Sequence, residues 1–119
     1  MGMLKLWLVS PAAKVNVPLA AGTGGAEFRD AVRDRWLPAL ERHRPEIVFV
    51  SAGFDAHRED PLAGLKLVDA DYGWVTRELL AVAARHAQGR VVSALEGGYE
   101  LSALGRPAVT IHTQLPPPR

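Results

Sequence analysis

The chain has 119 residues and a formal charge of +1, from 14 Lys and Arg against 13 Asp and Glu, the size of one ordinary domain without a strong electrostatic field. Nucleic-acid binding through a basic surface is therefore a poor expectation, and 48% apolar with 23% charged residues excludes wholesale disorder. Cysteine is absent, which removes disulfides, thiolate nucleophiles and sulfur-held zinc, so any metal must rest on His, Asp or Glu.

The mostly apolar stretch at residues 4–9 is too short for a signal segment and far short of the ~20 residues of a membrane span, so a cytoplasmic location without membrane contact is expected. Residues 15–19 (VNVPL) predict a weak strand whose Pro18 suggests an end or an edge. Gly22, Thr23, Gly24 and Gly25 follow. They lack the spacing of a dinucleotide fingerprint and the Lys-Ser/Thr of a P-loop, so a flexible loop is expected, with a phosphate cradle as the rival.

Phe28, Val32, Trp36 and Leu40 then recur every four residues with charges on the other side, the pattern of an amphipathic helix of about four turns that Pro38 should kink or break. Glu41, Arg42 and Arg44 read as its solvated end. Residues 46–51 (EIVFVS) and 90–95 (RVVSAL) are β-branched and nearly continuous in apolarity, as strands buried on both faces require. Between them a helix should start at Asp69 as N-cap and stop at Gly89. A weaker helix over residues 102–113 and a proline-rich tail at 116–119 complete the chain. The alternation predicts a layered α/β fold with a parallel sheet of about three strands and three helices, a small sheet that resembles one side of something larger. Such a sheet would expose unpaired edges and apolar surface that invite self-association.

Ligands of open parallel sheets sit beyond the carboxyl ends of the strands, and two segments there combine glycine with a reactive side chain. After the second strand, Asp55 either caps a turn or presents a carboxylate to a cation, and His57, two residues on, would share its side in extended backbone. After the third, Gly97 and Gly98 lead to Tyr99, whose phenol either stabilises an oxyanion or packs half-buried between strand and helix. His43, His86 and His112 have no metal-ligand spacing and suit structural or exposed positions.

Together the runs N-V-P-L from Asn16, S-A-G-F-D-A-H from Ser51, D-P-L-A-G from Asp60 and L-E-G-G-Y from Leu95 resemble the C-terminal part of the zinc-dependent histone deacetylase family, in its bacterial and class II form, over residues 15–115. The resemblance implies a three-layer α/β/α arginase/deacetylase-like fold and hydrolysis of acetyl-lysine or an acetylated polyamine with Zn2+. By motif, Asp55 resembles a zinc-binding aspartate, Tyr99 the catalytic tyrosine, Leu62 an acyl-tunnel residue, and Gly97 and Gly98 the tunnel wall; His57 stands outside the metal set. The family's upstream Asp-x-His and His-His motifs have no counterpart here, and residues 1–14 resemble an unrelated leader. A truncated member, inactive alone, is the expectation, either pairing with a missing N-terminal half or serving as a noncatalytic binding module.

Overall fold

The computed structural model describes residues 2–8, 13–53, 55–59, 64–97 and 105–106. Strand β1 (Gly2–Leu8) pairs antiparallel with β2 (Ala13–Leu19), Gly2 opposite Leu19 and Leu8 opposite Ala13. The expected strand at 15–19 is therefore present. It belongs, however, to this hairpin-like pair and not to the parallel sheet, because a run of β-forming residues specifies a strand without specifying its neighbour. Its backbone groups are met by β1, and Pro18 lies in a strand with one partner among the described residues, where its missing N–H is tolerated.

The glycine-rich loop is pinned, contrary to the flexible loop expected. Gly22, at φ +82°, donates its N–H to the Gly64 carbonyl at 2.7 Å, and the Lys66 N–H donates to Thr23 at 2.8 Å. From it rises a continuous helical rod: α1 (Gly25–Ala31), a π turn (Val32–Trp36) and α2 (Leu37–His43). Pro38 stands just past the wide turn. Arg44, left-handed at φ 52°, closes the rod with its N–H on the Leu40 carbonyl.

Strand β3 (Val48–Gly53), α3 (Asp69–His86) and β4 (Val91–Gly97) form one parallel crossover unit, with Val48 opposite Val91. Gly89 at φ +74° ends the helical path as expected. The start differs: Val68 is the N-cap, and Asp71 accepts its N–H at 2.9 Å, which leaves the Asp69 carboxylate for other partners. The helix at 102–113 lies outside the described residues save for Gly105 and Arg106, which are helical.

Two apolar clusters hold these pieces together. Leu19, Phe28, Val32, Leu65, Leu67 and Tyr72 join β2, the rod and the start of α3, while Val48, Ala83 and Ala87 seal α3 against the sheet. The opposite face of the sheet is open: Phe49 is 72% exposed, and Ile47 and Val92 are exposed beside it. Burial on both faces, expected from the apolar runs, thus holds on one face only. Among the described residues, no helix is long and apolar enough to cross a membrane.

Candidate functional site

Strands β3 and β4 run side by side with their carboxyl ends together, and the register slips between Ala52 and Gly53: Ala52 faces Leu95, but Gly53 faces Gly97. This bulge gives β4 one extra residue, Glu96. Ser51 Oγ donates to Glu96 Oε1 at 3.1 Å across the two mouths.

Asp55 leaves β3 two residues after Gly53, in a turn, half-buried. A Cβ on Gly53 would come within 3.2 Å of Asp55 Oδ1, so the carboxylate folds back over the end of its own strand and glycine makes room for it. No hydrogen bond or ion pair to another described residue engages that carboxylate. Gly97 is the last residue of β4, directly beside Gly53; Leu62, Gly98 and Tyr99 lie outside the described residues.

His57 does not turn toward Asp55. The turn breaks the extended alternation that would have put both on one side, and the backbone instead ladders onto the segment before α3: Arg58 N–H to the Leu67 carbonyl at 2.9 Å, Leu67 N–H to Ala56 at 3.1 Å. The imidazole is 2% exposed and nearly parallel to the Tyr72 ring, at 21° with ring centres 6.3 Å apart. Its Nδ1 accepts the Glu59 N–H at 3.2 Å, which leaves Nε2 to donate to Asp69 Oδ1 at 2.9 Å. Both nitrogens are spent, so the ring has no lone pair for a metal. Asp69 also accepts from Arg106 Nε at 3.1 Å, and Arg106 pairs with Glu59; these acceptors hold the guanidinium pKa above its ordinary value, Glu59 more than Asp69. The sequence marked neither Glu59 nor Arg106, since single charges at loop positions carry no spacing signal.

Among the described residues no three His, Asp or Glu side chains converge to hold a metal ion. One carboxylate does not fit a catalytic zinc, which normally takes three protein ligands. The rival phosphate cradle also fails on geometry: a Cβ on Gly25 would lie 2.7 Å from Asp71 Oδ2, so the start of α1 already faces a buried carboxylate that would repel an anion. His86 meets Glu41 at 2.6 Å and Arg85 Nε donates to it at 2.9 Å, so Glu41, at the solvated end of α2 as expected, also ties α2 to α3.

A model of the histone deacetylase domain matches residues 9–115. Type-2 histone deacetylase 2 of Dictyostelium discoideum is 42% identical over 85 residues, 71% of this chain and 5% of its own length. The histone deacetylase-like amidohydrolase of Pseudomonas aeruginosa is 44% identical over 85 residues, 71% of this chain and 22% of its own. The solved structure of the histone deacetylase Clr3 superposes with a TM-score of 0.75 at 32% identity, covering 84% of this chain and 17% of that one. The α/β fold with its parallel sheet is shared with these domains, of which the chain spans a small part.

Proposed function

The chain belongs to the histone deacetylase family, and from that premise we propose that it carries one side of a zinc-dependent deacetylase site, with an acetylated amine, acetyl-lysine or an acetylpolyamine, as substrate. Asp55 supplies one metal-binding carboxylate, and Tyr99 supplies a hydroxyl that donates to the oxyanion formed when the acyl carbon becomes tetrahedral. Leu62, Gly97 and Gly98 line the acyl channel. The observation that supports the reading is the register: Gly53 faces Gly97, so Asp55 and Tyr99 each follow a paired glycine by two residues on neighbouring strands. The remaining zinc ligands and the general-base histidines have no counterpart in this sequence, so the chain alone is expected to be inactive.

The test supplies what is missing. Fusion or co-expression with an upstream deacetylase fragment bearing Asp-x-His and His-His should yield bound zinc and release of acetate from an acetyl-lysine peptide or from an acetylpolyamine, the two arms separating the substrates. Asp55→Asn should lose zinc. Tyr99→Phe should keep zinc and lose turnover by roughly 10²–10³-fold, the usual cost of an oxyanion donor. Wild-type behaviour of both variants would overturn the assignment. A second reading, a noncatalytic module that associates with another copy of itself, is favoured by the open apolar face around Phe49.

A further inference from the structure

We propose that Asp69 is a positioning residue of this site: its two carboxylate oxygens hold the Asp55 turn through His57 and the helical turn at residues 105–106 through the Arg106 guanidinium. The inference rests on the reading of Asp55 and Tyr99 as site residues, and the contacts that carry it involve neither.

Asp69 is the first residue of α3, an element fixed at its start by the buried Asp71, which accepts both the Val68 N–H and Arg29 Nε at 2.9 Å. From that fixed point Oδ1 receives His57 Nε2 at 2.9 Å, two residues past Asp55. Oδ2 receives Arg106 Nε at 3.1 Å, seven residues past Tyr99. Arg106 reaches on to Glu59, and the Glu59 N–H returns to His57 Nδ1, which closes a ring of four residues drawn from three separate stretches of chain. Ion pairs at the surface usually contribute little. This ring differs because one member is a buried imidazole, 2% exposed, with both nitrogens committed; moving it would leave a polar ring unsatisfied in the interior. Members of such a closed network strengthen one another. The carboxylate therefore sets the Asp55 turn and the turn at residues 105–106 against one common reference.

The experiment is heteronuclear NMR on the uniformly 15N-labelled chain. Wild type should show a slowly exchanging His57 Nε2–H and an unprotonated Nδ1. Arg106→Met, at an exposed position, should shift that ring proton and the Asp55 amide through Asp69 and Glu59. Asp69→Ala should abolish the ring signal and speed exchange of the Arg58 and Leu67 amides about tenfold, the usual cost of a lost charge-assisted hydrogen bond. That acceleration should exceed any change at Val82 and Ala83 within α3. In the Asp69→Ala background Arg106→Met should no longer move the Asp55 amide. An Arg106→Met spectrum with the His57 and Asp55 signals unmoved overturns the proposal even if Asp69→Ala fails to fold, and so does a shift that persists without Asp69. Failure of the deacetylase reading would appear separately, as a completed site in which Asp55→Asn keeps its zinc.

Discussion

At Gly25 a single hydrogen atom in place of a methyl group decides whether α1 and α3 can meet. The Asp71 carboxylate sits where a Cβ would go, buried, holding Arg29 and the Val68 N–H. Gly25→Ala gains helix propensity but must displace that carboxylate, so it is expected to destabilise by about 1–3 kcal/mol, the cost of disrupting buried charge-assisted hydrogen bonds; urea unfolding measures it, and an unchanged midpoint would refute it. Legibility at this scale was uneven. The place of Asp55 just past the end of β3 was readable because a carboxylate closing an apolar strand is conspicuous. The pairing of His57 with Asp69 was not, because their separation of twelve residues follows no regular period. The turn at Asp55 also reversed the geometry that extended backbone implies for D-x-H.

Among the elements, the rod shows what a repeat of four means physically. On an ideal helix residues four apart drift by about 40° per step, so Phe28, Val32, Trp36 and Leu40 would wind around the axis. The π turn at Val32–Trp36 takes up extra residues and keeps Phe28, Val32 and Leu40 buried, while Trp36 Nε1 reaches the Val15 carbonyl at 3.3 Å. The sequence announced the helix; Pro38, expected to kink or break it, instead lies at the start of α2 in a continuous helical path, and the strict four-residue spacing was the signal for the π turn before it. Leu67, 2% exposed between the rod and α3, should cost about 2–5 kcal/mol as Leu67→Ala, read as a lower unfolding midpoint. Glu41 ties α2 to α3. Hydrogen bonds from Arg85 first and His86 second lower its pKa below the ordinary 4.5. The tie is thus complete above pH 4.5 and is lost as pH falls through the lower folded value. Glu41→Gln should flatten that acid-side loss of stability in thermal melts run from neutral pH downward, and an unaltered slope would count against the tie.

For the molecule as a whole, parallel sheets with a bare face are unusual, and Phe49, Ile47 and Val92 form one. Phe49→Ser should reduce concentration-dependent association in sedimentation velocity without lowering the unfolding midpoint, since the side chain is already in solvent; identical sedimentation of the two proteins would remove the case for self-assembly. The unit β3–α3–β4 was legible because apolar runs and helical periods both pointed to it. The partner of β2 was not, because strand pairing is chosen by tertiary packing.

The slip between Ala52 and Gly53 makes the alignment of the two strand ends depend on counting. The strands reach the facing glycines, Gly53 and Gly97, by unequal counts, six residues on β3 and seven on β4, so removing Glu96 would iron out the bulge and leave Gly53 opposite Gly97, whereas removing a residue from β3 would widen the mismatch. Every side chain beyond Gly53 would survive the second change, yet the two strands would no longer stop level with each other.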